Sequence, residues 1–115
     1  YLDVSGWDAA HKLVLLADVY DGIARGLVDP ALELELLPEY FSGPDEPADS
    51  YFVDPLDAPA VVSLDEALFA AGAYSSNVAA RALLSLTDAA SLRATAEAIG
   101  MTDSYFFVDP RDLPS

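Results

Sequence analysis

Cysteine is absent from the chain, which removes disulfides, thiol nucleophiles and thiolate metal sites together. Histidine occurs once, at His11, so a histidine-rich metal cluster is excluded as well, and nothing in the sequence calls for a metal or an organic cofactor. Positive charge is scarce: five lysines and arginines stand against 20 aspartates and glutamates, for a net charge of -15. With so few cations to meet phosphates or anionic headgroups, neither nucleic acid nor a membrane surface is an expected partner. No apolar run reaches the roughly 18 to 20 residues of a membrane span. Membrane insertion is therefore not expected, and Tyr1 opens no basic-then-apolar leader, so an exported form would carry its leader ahead of this sequence.

What is present favours a folded chain. Over 115 residues, 53% are hydrophobic, enough apolar surface to offset chain entropy and form one core, so residues 1–115 are expected to make a single domain. From Asp8 to Gly26, Leu13, Leu16, Val19 and Ile23 recur at steps of three and four, with Val14 and Leu15 widening the stripe, which predicts a core helix ended by Val28-Asp29-Pro30. Leu32 to Leu36 alternates apolar and acidic residues, as a short half-exposed strand does. Gly43, Pro44, Pro47 and Pro55 mark Pro38 to Pro59 as a long irregular surface loop.

Ser63-Leu64-Asp65-Glu66 forms a capping box, in which the serine oxygen accepts the backbone N–H three residues on and the glutamate reaches back. A helix follows to a break at Tyr74-Ser75-Ser76-Asn77, and a second one runs from Val78 to Leu86 with Arg81 as its sole charge, so it should be buried on nearly every face. Thr87 or Asp88 caps a further helix that stops at Gly100, after which the aromatic, proline-bearing stretch from Met101 to Ser115 should be extended. Asp49 to Pro55 nearly repeats within Asp103 to Pro110, but the flanking helices do not match, and two similar loop edges explain the likeness without duplication.

Serine acyl-transfer enzymes that work without histidine set a serine and a lysine one helical turn apart, where the amine can take the proton of the hydroxyl. Ala9-Ala10-His11-Lys12 has that spacing with alanine in the serine position. Alone, a lysine in a first helical turn reads as a snorkelling surface residue. Lys12, however, is the only lysine of the chain and leads directly into Leu13-Val14-Leu15-Leu16-Ala17, which makes a specific role more plausible.

In order and setting, Ala9-Ala10-His11-Lys12 and Ser75-Ser76-Asn77 resemble the Ser-x-x-Lys and Ser-Asp-Asn motifs of the penicillin-recognising serine hydrolases, the superfamily of β-lactamases and penicillin-binding proteins. The likeness runs from about Asp3 to Thr102 and includes the stretch Lys12 to Gly26, the capping box with its following helix, and the helix from Ala90 to Gly100. It implies a mainly α domain with minor short strands, similar to the helical subdomain of that α/β fold, with the main antiparallel sheet not part of this chain. It implies small-molecule β-lactam or peptide-like substrates. It also implies work on or outside the cytoplasmic membrane.

By the same resemblance Lys12 would assist proton transfer in acylation, Ser75 would relay a proton to the leaving nitrogen, and Asn77 would bond a substrate amide. Asp109, before Pro110, would stand where the β-lactamase branch has a Glu-Pro that activates the deacylating water. Helix capping is the competing explanation for Ser75 and Asn77, and a plain turn proline the competing one for Asp109.

Three departures bear on activity. Ala9 sits in the nucleophile place, and a methyl group has no lone pair to attack a carbonyl. Ser76 replaces the motif aspartate, and no Lys-Thr-Gly sequence occurs between Tyr1 and Ser115. An engineered inactive form, a natural non-catalytic relative and a helical portion separated from its sheet all fit these facts. So does a non-enzymatic, acidic helical module that binds a protein partner. If the sheet is supplied from elsewhere, apolar faces of the helices at 9–26 and 63–86 stay uncovered, and the chain should self-associate or recruit a second polypeptide. Sedimentation at micromolar concentration should then show species larger than the monomer, whereas a tight monomer without an exposed apolar patch counts against it.

Overall fold

A computed structural model describes residues 9–41 and 48–100; Asp109 and the second copy of the near repeat lie outside them. Among the described residues there are four α-helices and one two-stranded sheet: α1 Ala9–Ala24, β1 Glu33–Glu35, β2 Val61–Ser63, α2 Leu64–Ala73, α3 Asn77–Leu84 and α4 Ala89–Ala98. The mainly α class with minor strands is what the sequence predicted. No described helix is long and apolar enough to cross a membrane.

The helix α1 forms because no glycine or proline interrupts Ala9 to Asp21 and its apolar residues recur on one side. Its buried line is rotated from the predicted one. Val14, Leu15 and Val19 are within 2% of full burial, whereas Leu13, expected in the stripe, is 59% exposed. Lys12 and Asp18 take up the edges of the buried face instead. α1 ends earlier than the Val28-Asp29-Pro30 stop, at Ala24. Gly26 adopts a φ of +75°, a left-handed conformation that glycine enters without penalty. The chain then turns back so closely that the N–H groups of Leu27 and Val28 both reach the Gly22 carbonyl, at 2.8 and 3.1 Å. A Cβ on Gly22 would lie 2.9 Å from the Val28 side chain, so this return requires glycine.

β1 is the predicted strand, with Leu34 buried between exposed Glu33 and Glu35. Its partner β2 was not foreseen: Val61-Val62-Ser63 is too short to display a period of two. The pair is antiparallel, with Leu34 opposite Val62, so both inward side chains enter the core together. Between the strands, the segment expected to be a surface loop is only partly so. Pro38–Tyr40 forms a single 3-10 turn, and Tyr40, Asp49 and Phe52 are buried. These side chains hold the loop onto the helices.

The Ser63 oxygen accepts from the Glu66 N–H at 3.1 Å, as the capping box predicts. The reciprocal half takes another course, because Glu66 accepts a hydrogen bond from the Tyr51 phenol at 3.1 Å. The central element is α3, in which every residue from Val78 to Leu84 is buried under α1, α2, β1 and the 3-10 turn. Arg81, also buried, donates to the Tyr40 carbonyl. α4 is capped by Asp88 rather than Thr87, through a 2.8 Å bond from Ser91 N–H to the aspartate. It ends before Gly100, where φ is +90°.

α1 and α4 are tied by a polar clasp. The buried Asp18 carboxylate accepts from Ser91 at 2.8 Å and from Thr95 at 2.6 Å, two hydroxyls one turn apart on α4. The cleft beside this clasp, about 380 Å³, is lined by Asp18, Asp21, Arg25 and Thr95 and does not include Lys12, Ser75 or Asn77.

The rotated face of α1 can be tested. Leu15→Ala should cost about 2–5 kcal/mol, as buried leucine truncations do, and Leu13→Ala should stay within about 0.5 kcal/mol. Urea midpoints of the two variants at constant m-value check this; equal losses would put Leu13 back in the core.

Candidate functional site

The break between α2 and α3 is shaped by its backbone. Tyr74 and Ser76 both direct their N–H groups to the Ala70 carbonyl, at 3.2 and 3.1 Å. Between them Ser75 has a φ of +54°, the only non-glycine positive φ among the described residues. A side chain in that region costs about 1–2 kcal/mol, so the conformation persists only if the surroundings hold it. They do so from two sides: Ser50 donates its hydroxyl to the Tyr74 carbonyl, and Lys12 donates its ammonium to the Ser75 carbonyl at 2.7 Å.

Lys12 reaches the break from the first turns of α1, where its side chain is only 8% exposed. Burial pushes its pKa down, the nearby Asp49 carboxylate pushes it back up, and Arg81 lowers it, with burial prevailing. The ammonium meets Ser75 through the backbone carbonyl. Ser75 itself is exposed.

Ser75 follows the C-cap of α2 in the left-handed conformation that often ends a helix, and the N-cap of α3 is Ser76. Its oxygen accepts from Ala79 N–H at 3.1 Å, and the residue is completely buried. Asn77 is the first residue of α3, and its Oδ1 is buried with no hydrogen-bond partner among the described residues. Such orphaned acceptors are uncommon in folded proteins and call for a reason. Ala9 is the first residue of α1, one turn before Lys12. Lys12, Ser75 and Asn77 are thus brought to one break in the helices, while Asp109 lies outside the described residues.

One residue of this region escaped the sequence. Asp49, seen there only as the start of a near repeat, is 8% exposed and accepts four hydrogen bonds. Its Oδ2 takes the N–H groups of Tyr51 at 3.1 Å and Phe52 at 2.9 Å and the Ser76 hydroxyl at 2.7 Å; Oδ1 takes Val78 N–H at 3.0 Å. Burial alone would raise its pKa. The Ser76 hydroxyl and the N–H groups of Val78, Phe52 and Tyr51 overcome that and hold it below the usual carboxylate range. The pattern Asp49-Ser50-Tyr51-Phe52, an aspartate followed by residues whose N–H groups it can accept, was the one local signal available. Beside it, Tyr51, Phe69 and Tyr74 meet edge to face, with centroids 5.1–6.1 Å apart.

The profile of the family described as "Beta-lactamase enzyme family" matches residues 9–109. The chain belongs to the β-lactamase enzyme family. No curated protein and no solved structure matches it. The match begins at Ala9, and so includes the turn that carries Lys12, and it continues through the α2–α3 break. Both motif-bearing segments fall inside the family region, and membership supports a β-lactamase-like serine hydrolase lineage with small-molecule substrates in the family.

Because Lys12 is the only lysine, a protein grown on 13C-lysine gives a single Cε titration. Its midpoint should fall below the ordinary value of 10.5. The unfolded chain then holds this proton more tightly than the folded one. Lys12 therefore makes stability rise with pH through the window between the folded midpoint and 10.5 and adds no dependence above it. A midpoint at or above 10.5 would contradict the effect of burial.

Proposed function

We propose that this chain is the motif-bearing helical part of a β-lactamase-like acyl-transfer scaffold for β-lactams or acyl-D-alanyl amides, disabled at the nucleophile by Ala9. The observation that carries this reading is the 2.7 Å contact between the Lys12 ammonium and the Ser75 carbonyl. It joins the two segments on which such chemistry depends.

In this reading a serine at position 9 would lie one helical turn from Lys12, within reach of an amine whose proton affinity burial has lowered. Once neutral, that amine takes the proton of the hydroxyl as the hydroxyl oxygen bonds to the substrate carbonyl carbon. The exposed Ser75 hydroxyl passes a proton to the amide nitrogen as the C–N bond breaks. By the family resemblance Asn77 would bond a substrate amide, which requires its carboxamide, whose Oδ1 is buried here, to turn toward the substrate. Asp109 would act later, on the water that releases the acyl group. With alanine at position 9 the first bond cannot form, and the chain as it stands would bind such compounds without acylation.

The test is a gain of function. Ala9→Ser, in the chain joined to the polypeptide that completes the fold, should form with a fluorescent penicillin a covalent adduct that mass spectrometry places on residue 9, whereas the unaltered chain should form none. Adding Lys12→Ala should slow acylation about 10²- to 10⁴-fold, the usual contribution of a general base. A folded Ala9→Ser variant of that completed protein that remains unlabelled would count against acyl transfer by this chain and favour the non-enzymatic interaction module.

A further inference from the structure

A buried carboxylate with four donors is more than a capping device needs, and its position relative to the break is informative. In the family's Ser-Asp-Asn break the middle residue brings a carboxylate; here Ser76 occupies that place and brings a hydroxyl. That hydroxyl donates to Asp49 at 2.7 Å, and the other oxygen of the same carboxylate accepts from Val78 N–H, two residues further into α3. A negative charge therefore reaches the start of α3 after all, from a residue 27 positions earlier in the chain.

We propose that Asp49 and Ser76 together replace the carboxylate of the middle motif position, which makes Asp49 a positioning residue for Lys12, Ser75 and Asn77. This rests on reading the break as the second motif of the family. Through Ser76 and Val78, Asp49 fixes the residues on either side of Asn77. Through its own backbone partners Tyr51 and Phe52, it holds the loop that presents Ser50 to the Tyr74 carbonyl. The two peptide carbonyls of the left-handed turn are thus gripped by Ser50, which Asp49 places, and by Lys12, which Asp49 faces electrostatically.

Charge balance gives the arrangement a second consequence. Among the described residues, the Asp49 carboxylate raises the proton affinity of the Lys12 ammonium and the Arg81 guanidinium lowers it. A hydroxyl at position 76 can relay the effect of a carboxylate but cannot supply its charge.

The exchange can be reversed by mutation. In Asp49→Ser/Ser76→Asp, an aspartate at the cap position can accept from Val78 and Ala79 N–H. A serine at position 49 can accept from the following backbone N–H groups and donate to the new carboxylate. Asp49→Ser alone should move the Lys12 Cε titration to lower pH and lower the urea midpoint. Ser76→Asp alone sets two carboxylates where one hydrogen bond stood and should also lower the urea midpoint. The double variant should return both readouts toward the unaltered chain, beyond what the two single changes add up to.

A Lys12 titration left where it was by Asp49→Ser overturns the proposal. So does a double variant that is no better than the sum of the singles, or one that fails to fold. If Asp49→Ser itself does not fold, a folded double variant with the original Lys12 titration sustains the proposal. None of these measurements needs acylation, so a negative result with Ala9→Ser and penicillin would leave this outcome distinct.

Discussion

The arrangement depends on one buried cation and the carbonyl it meets. An ammonium taken out of water loses hydration worth several kcal/mol unless the protein returns comparable contacts. α1 brings Lys12 to the α2–α3 break, where a peptide carbonyl, that of Ser75, accepts its ammonium at 2.7 Å. The carbonyl accepting that ammonium belongs to a residue with φ +54°, a conformation that serine adopts at a cost. The strain of the break and the desolvation of the lysine are each unfavourable alone. Met at a shared hydrogen bond, each helps to stabilise the other, and helix α1 is thereby fixed to the α2–α3 break at a single point.

The surrounding layers act to keep that point rigid. α3 runs through the middle of the core with every residue from Val78 to Leu84 buried, so its first turn has little freedom to shift. Asp18 clasps α4 to the far side of α1 through two hydroxyls, and Asp49 ties the inter-strand loop to the first turn of α3. The exposed Asp21–Arg25 pair, by contrast, is an i,i+4 contact of the kind worth a few tenths of a kcal/mol, and plays no part in this frame. Two buried aspartates and one buried lysine therefore specify how the helices dock, and the apolar core supplies most of the driving force. This division is usual in helical proteins, where hydrophobic burial is non-directional and buried polar contacts choose among similar packings.

Local signals were legible and long-range ones were not. The capping serine at position 63, the Gly100 stop, the alternating strand around Leu34 and the buried character of α3 follow from residues within one or two turns of each other. The break at 74–77 was also readable, since Ser-Ser-Asn interrupts an otherwise continuous apolar pattern. The azimuth of α1 was misjudged because leucines at positions 13 and 16 fit a helical stripe as well as Val14, Leu15 and Val19 do, and tertiary contacts decide between them. β2 was missed because three residues cannot establish a period. Of the candidate residues, Lys12 stood out as the lone lysine, and Ser75 and Asn77 through the family resemblance, whereas Asp49 bonds across 27 residues of chain from a loop whose composition suggested solvent. Nothing local distinguishes an aspartate that caps its own turn from one that also binds a distant helix.

Family membership and fold leave function to be argued from the site, because one scaffold serves many chemistries. What the geometry adds is a physical asymmetry. Lys12 serves the fold directly, since its ammonium holds the carbonyl of the strained Ser75 turn, and that contact offsets part of its desolvation penalty. Asn77 differs, because its carboxamide oxygen lies buried without a donor among the described residues, and an apolar residue there would carry no such penalty. Two polar groups, each carrying a desolvation penalty, are held near a strained turn in a chain with apolar residues to spare. Such expense is typical of places where structure has been fitted to chemistry instead of to stability.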